Sequence, residues 1–183
     1  CVETVIVGST ATGVLAVREK TIVDTKNDIV IASKLGTDFI ANGLKNPGNS
    51  VDITVNEGRV LLTGIVRNES NVALASDLAW KISGVKEVID EVQFSNASLH
   101  PRDFSKSFVD YVITLEIETK LLLARDVASV NYKITTVNKT TYLLGVAENN
   151  GEMQKVLSIA AKVKKVKKVV NHVILMNDKR RTK

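Results

Sequence analysis

The sequence predicts an α+β protein of two tandem domains, each αββαβ with two helices packed on one face of a three-stranded mixed sheet. Three observations carry that reading. Helix, hairpin, helix and strand signals run in the same order over residues 28–94 and 110–175, and self-similarity of this kind marks a repeated folding unit. The last three elements of the two copies align without a gap at a spacing of 81: Ile53 with Ile134, Thr54 with Thr135, Leu62 with Leu143, Gly64 with Gly145, Ala79 with Ala160, Lys81 with Lys162, Val85 with Val166, Lys86 with Lys167, Val88 with Val169 and Val92 with Val173. Each copy is about 70 residues, and so small a sheet closes a core only with its helices gathered on one face. The other face is either open or covered by the other copy.

Residues 1–27 have no clean period and read as a partly extended N-terminal tether. The first domain is expected over 28–95. Asp28 stands where an N-cap would, and behind it Ile31, Leu35 and Phe39 form one apolar helical face. Asn42-Gly43 and Pro47-Gly48-Asn49-Ser50 end that helix. Val51–Val55, the turn Asn56-Glu57-Gly58 and Arg59–Gly64 follow as a β-hairpin. Residues 69–82 form a second helix with Ala75, Leu78, Ala79 and Ile82 on one side, Ser83-Gly84 ends it, and 86–94 is a strand. After a linker at 96–103, the second domain (104–177) repeats the plan. Asp110 aligns with Asp28, and Ile113, Ile117 and Leu121 repeat the apolar face at a spacing of 82. The second hairpin has Lys139 in place of the turn glycine Gly58, so a longer or differently shaped turn is expected there. The helix at 149–163 buries Met153, Val156, Ile159, Ala160 and Val163, the strand 167–175 closes the unit, and residues 178–183 are a basic tail expected to be a solvated end.

Composition narrows the function classes. An apolar fraction of 44% with only two prolines suits folded protein. No run of about 20 apolar residues offers a membrane-spanning helix. One cysteine and two distant histidines leave no basis for an internal disulfide or a Cys/His metal cluster, and no cofactor or metal is expected. The net charge of +5 is uneven. Residues 1–103 hold 10 Lys/Arg against 13 Asp/Glu, whereas 104–183 hold 15 against 7. The second domain and tail are thus the part that attracts anions.

The hairpin ending in Val60-Leu-Leu-Thr-Gly64 and the signature Gly84-Val85-Lys86-x-Val88-x-Asp90 resemble the BON domain. The second copy keeps them as Tyr142-Leu-Leu-Gly145 and Val166-Lys167-x-Val169-x-Asn171. With Cys1 at the start and two such units, the chain resembles the dual-BON outer-membrane lipoproteins. That resemblance implies a mature envelope protein whose signal peptide is gone, with Cys1 carrying fatty acyl chains (palmitate). It implies an outer-membrane location facing the periplasm, binding of anionic phospholipid through the second unit, and support of outer-membrane integrity. It also implies a bulky aromatic on the first helix of the second unit. The matching position here is Val112, so that aromatic is missing, and Phe108 and Tyr111 beside it stand as substitutes.

Each candidate residue has a plainer reading beside it. Cys1 is a lipidation site or a cut that fell on cysteine; Val2 after it is not the aspartate that retains many lipoproteins at the inner membrane. Phe108, Tyr111 and Val112 meet a headgroup boundary or pack between the two units. Lys162, Lys164, Lys165, Lys167 and Lys168 read an anionic surface or complement a helix C-terminus. Trp80, about 140° round its helix from the apolar face, contacts the other unit, the tether or a partner, or covers a sheet edge. Gly58, Gly64, Gly84 and Gly145 are structural. His100 and His172 have no Ser, Cys or paired carboxylate at a telling spacing, and Asp90 and Glu91 leave their strand on opposite faces. No catalytic constellation is found.

The expectation is a non-catalytic, lipid-anchored protein that binds an anionic phospholipid membrane, with an outer-membrane or envelope protein complex as a second kind of partner. The alternative is a structural subunit docking neighbours, or further copies of itself, through BON sheet edges and Trp80. Nucleic-acid binding is disfavoured by the scarcity of aromatics and by an anchored Cys1.

Overall fold

The computed structural model describes residues 22–96 and 102–181. In the first repeat, helix α1 (Ile22–Ala41) leads into a two-residue strand β1 (Lys45–Asn46), the hairpin β2 (Asn49–Asn56) and β3 (Arg59–Val66), helix α2 (Ser70–Trp80) and strand β4 (Glu87–Phe94). In the second, helix α3 (Arg102–Leu123) is followed by β5 (Tyr132–Val137), β6 (Thr140–Ala147), helix α4 (Asn150–Ala161) and β7 (Lys168–Leu175). Short 3₁₀ turns lie at Ser129–Asn131, just ahead of β5, and at Lys179–Arg181 in the tail.

The sheets run β1-β2-β3-β4 and β5-β6-β7. In each the hairpin pairs antiparallel, with Ile53 opposite Leu62 and Ile134 opposite Leu143, and the last strand joins parallel, with Leu61 beside Ile89 and Tyr142 beside Val170. Both sheets are therefore mixed, and the first gains the short edge strand β1. One face of each packs its own helices. Ile31, Leu35 and Phe39 of α1 meet Val51, Val60, Leu62, Ala75 and Ala79. Ile113, Ile117 and Leu121 of α3 meet Leu143, Val156, Ala160 and Val173.

The remaining faces cover each other. Leu61, Tyr142 and Leu144 form a buried cluster between the two sheets, flanked by Ile89, Val137 and Val170. The molecule is a four-layer stack with helices outside and two sheets within. Every residue of β3 but Ile65 is buried, because both faces of this central strand are covered.

Three sequence expectations are corrected here. The first helix begins at Ile22, inside the stretch assigned to the tether, so Asp28 is not its N-cap. Instead the backbone N–H groups of Glu57 and Gly58 donate to the Asp28 carboxylate at 2.9 and 2.8 Å. The helix of the second repeat likewise starts at Arg102, within the expected linker. The second hairpin turn is neither longer nor different. Asn138 and Lys139 take φ of 51° and 64° where Glu57 and Gly58 take 54° and 78°, the left-handed pair of a two-residue type I′ turn. Asp110 accepts from Asn138 N and Lys139 N at 2.7 and 2.8 Å, so a carboxylate holds Lys139 in a conformation it would otherwise avoid.

Candidate functional site

Two faces of α3 are apolar. Ile113, Ile117 and Leu121 point into the core, and 180° away Phe108, Val112, Leu115 and Leu122 recur at the i, i+4, i+7 spacing of a helical stripe. Phe108 is 66% exposed, Tyr111 63%, Val112 41% and Leu115 48%. None of these side chains belongs to the inter-sheet cluster, so packing between the repeats does not account for them. At the C-terminal end the surface continues into an open groove of about 250 Å³ between α3 and β5, where Leu122, Val130, Tyr132 and Ile134 line the wall.

The lysine run reaches the same end of the second repeat as Phe108 and Tyr111, through a short chain of contacts. Asp110 of α3 holds the Asn138–Lys139 turn, and the Lys139 carbonyl accepts from the Lys167 backbone N–H at 2.9 Å. Lys162 caps α4, and Lys165 adopts φ 77° where the first repeat has Gly84 at 94°. All five lysines of the run are solvent-exposed. The lysines and the aromatic residues thus lie at one end of the second repeat, while Glu116, paired to Lys120 at 3.5 Å, and Glu118 sit further along the helix. In the first repeat the equivalent end mixes signs, with Glu57 and Glu87 beside Lys81 and Lys86, and among its described residues α1 exposes Ile29, Val30 and Ile40 as large apolar side chains.

The two carboxylates of that end are engaged by the tail, which corrects the expectation of a solvated end. Arg181 donates from Nε and Nη2 to the two carboxylate oxygens of Glu57 at 2.8 and 3.1 Å, and Lys86 Nζ donates to the Arg181 carbonyl at 3.0 Å. Arg180 lies 3.5 Å from Glu87 and donates to both oxygens of Asp178. The side chain of Arg59, 1% exposed, donates to Glu87 at 2.5 Å and to the His172 carbonyl at 3.0 Å. Burial alone would raise the Glu87 carboxyl, but the hydrogen bond and charge of Arg59, with Arg180 beyond it, hold it below its ordinary value. Hydrogen bonds from Arg180 hold Asp178 well below the carboxylate range.

The other candidates fall as follows. Trp80 ends α2 on the outer layer and is 56% exposed. Gly64 (φ 121°) lies so close to β2 that a Cβ would stand 1.8 Å from the Ser50 carbonyl oxygen, and at Gly145 a Cβ would stand 2.5 Å from the Asn131 oxygen. Asp90 accepts from Ser76 on the helix side while Glu91 meets His172 at 2.9 Å on the sheet side, so the two carboxylates do face apart. Among the described residues no group of three His, Cys, Asp or Glu side chains converges as a metal site, and no helix is long and apolar enough to cross a membrane. Cys1 and His100 lie outside the described residues. Leu115 and Leu122 do not stand out in the sequence, although the stripe spacing opposite Ile113, Ile117 and Leu121 finds both.

The BON domain family model matches residues 27–96 and 110–177. This chain is a tandem BON-domain protein. An uncharacterized protein in the gshII 5′ region of Anaplasma centrale is 32% identical over 85% of this chain and 99% of its own length. The outer membrane lipoprotein DolP of Haemophilus influenzae is 31% identical over 62% of this chain and 56% of that protein. The osmotically-inducible protein Y of Escherichia coli is 31% identical over 67% of this chain and 61% of that protein. The match therefore spans under two thirds of these last two relatives. Within the BON frame, the shared plan of the two domains contrasts with their turn ends, where Glu57 and Glu87 of the first correspond to Asn138 and Lys168 of the second.

Proposed function

We propose that this tandem BON protein works in the cell envelope by binding anionic phospholipid surfaces through the second BON domain. The observation that carries this is the solvent-facing apolar stripe of α3, in a domain that exposes five lysines at the same end as Phe108 and Tyr111. An exposed apolar helical face in a cationic domain matches a headgroup–acyl boundary. Insertion of a few such side chains supplies about 1.5–3 kcal/mol each when fully buried, and each lysine near an anionic surface adds about 1 kcal/mol at modest salt. Glu116 and Glu118 oppose contact along the C-terminal half, so the binding edge is the end bearing Phe108, Tyr111 and the lysine loop. The name of one relative, an outer membrane lipoprotein, supports an envelope setting. It also supports extending the proposal to acylation of Cys1 and a periplasm-facing outer-membrane location. There the tethered contact would act at high effective concentration and help preserve outer-membrane integrity.

Co-sedimentation of the chain with neutral and anionic vesicles tests the lipid contact. Retention on anionic vesicles alone, weakening with salt and lost when Lys164, Lys165, Lys167 and Lys168 become Gln, is the expected result. Equal retention on both vesicle types, or none at low salt, would refute it. A second reading rests on the 56% exposed Trp80 and makes the protein a docking subunit of an envelope complex. A stoichiometric detergent-stable complex lost with Trp80→Ala, without vesicle binding, would favour that reading.

A further inference from the structure

The sheet-to-sheet contact is organised about a pseudo-twofold axis. In an isologous pair, residues on the axis meet their own equivalents, and three repeat-equivalent pairs do so here. Thr54 Oγ1 and Thr135 Oγ1 are 3.1 Å apart, Glu91 Oε1 and His172 Nε2 are 2.9 Å apart, and Leu61 packs with Tyr142 in the inter-sheet cluster. Each pair is separated by 81 residues. The fold therefore contains, inside one chain, the interface of a dimer of BON domains.

Two of the three pairs have diverged to complementary partners. A dimer of two first domains would set Glu91 against Glu91 and leave Leu61 facing Leu61. A dimer of two second domains would set His172 against His172 and crowd Tyr142 against Tyr142. Only the mixed pair gives a carboxylate–imidazole contact and a large side chain against a smaller one. Off the axis the same choice recurs. Arg181 binds Glu57 and Arg180 faces Glu87, whereas the equivalents of those carboxylates in the second domain are Asn138 and Lys168. A second pair of second domains would bring Arg180 onto a lysine. The positions equivalent to the two arginines in the first repeat are Leu99 and His100, so two first domains would lack these cations.

We infer that the helix-free sheet face of each domain is a recognition surface whose partner is a BON domain of the other type, and that Glu91, His172, Glu57 and Arg181 determine this choice. Unfavourable like-with-like contacts supply the discrimination as much as the favourable mixed ones. The surface is satisfied within one chain here, and it would equally accept the complementary domain of a second copy if the two halves were free to exchange.

The test uses the whole chain with a protease site replacing residues 97–101, cleaved after folding and examined by native mass spectrometry. The halves are expected to remain together as one mixed heterodimer, with neither like-with-like species present. Glu91→His alone and Arg181→Glu alone should each weaken the cleaved pair about tenfold, a usual effect for one partner of a close charge pair across an interface. The exchange Glu91→His with His172→Glu should restore affinity to within about threefold of the parent. Circular dichroism on each uncleaved variant separates loss of pairing from loss of fold. Halves that part at physiological salt, that redistribute among all three pairings, or that bind no better in the exchanged variant than in Glu91→His would overturn the inference.

Discussion

Asp28 and Asp110 are buried carboxylates whose oxygens are spent on the backbone of a hairpin turn. The sequence signal at these positions, an acidic residue ahead of an apolar helical run, reads as an N-cap, because the turn it holds is distant along the chain. Removing either leaves two donors without their charged acceptor. Asp110→Ala should lower the unfolding free energy by about 2–4 kcal/mol in urea titration, from bonds worth about 1.5–3 kcal/mol each when one partner is charged. Lys139→Gly should raise it by about 0.5–1 kcal/mol, since glycine takes the left-handed φ without steric cost. Thr63 is fully buried on β3 and its hydroxyl has no hydrogen-bond partner. Thr63→Val keeps the shape, removes the polar group, and should stabilise by about 1 kcal/mol in the same titration.

The α3 helix shows which parts of an element a sequence reveals. Its core face was legible from Ile113, Ile117 and Leu121, and Phe108 and Tyr111 were marked by resemblance to the BON pattern. Leu115 and Leu122 were obscured because an apolar residue on a helix is read as core until its angular position is compared with the buried face. Bringing the lysine loop to the N-terminal half of α3 requires tertiary contacts, Asp110 to the turn and the turn to Lys167, that no local spacing encodes. Because these stripe side chains are exposed, a Phe108→Ser, Tyr111→Ser, Leu115→Ser variant should unfold within about 0.5 kcal/mol per site of the parent. It should nevertheless fail to co-sediment with anionic vesicles. A large stability loss would mean that the stripe is core, and unchanged sedimentation would mean that the lipid contact is elsewhere.

At the scale of the whole molecule, the repeat predicted two αββαβ domains and left the uncovered sheet faces undecided. The deciding signal was present: Val60-Leu61-Leu62 and Tyr142-Leu143-Leu144 are continuous apolar runs, as in strands buried on both faces, rather than alternating ones. The tail clamp was not legible, since a run of Lys and Arg at a terminus gives no hint of carboxylates waiting on another domain. Its pH dependence follows from sign. Glu87 and Asp178 are held below their ordinary values in the folded protein, so their contribution is present above the unfolded carboxylate range. It is lost as pH falls through that range, about 4, and below. Protection factors at β3 and β6, taken against the intrinsic exchange rate at each pH, should therefore fall on acidification below about pH 4 in the parent, and less so in Arg180→Ala, where part of the clamp is already gone.

The central claim, that the aromatic end of α3 enters an anionic membrane surface, is tested most directly by fluorescence. In a chain where Trp80→Phe removes the one native tryptophan and Tyr111→Trp places one on the stripe, anionic vesicles should shift the emission to the blue. Acyl-brominated anionic lipid should quench it, and neutral vesicles should do neither. Emission unchanged by anionic vesicles, in a variant that remains folded, would contradict the account.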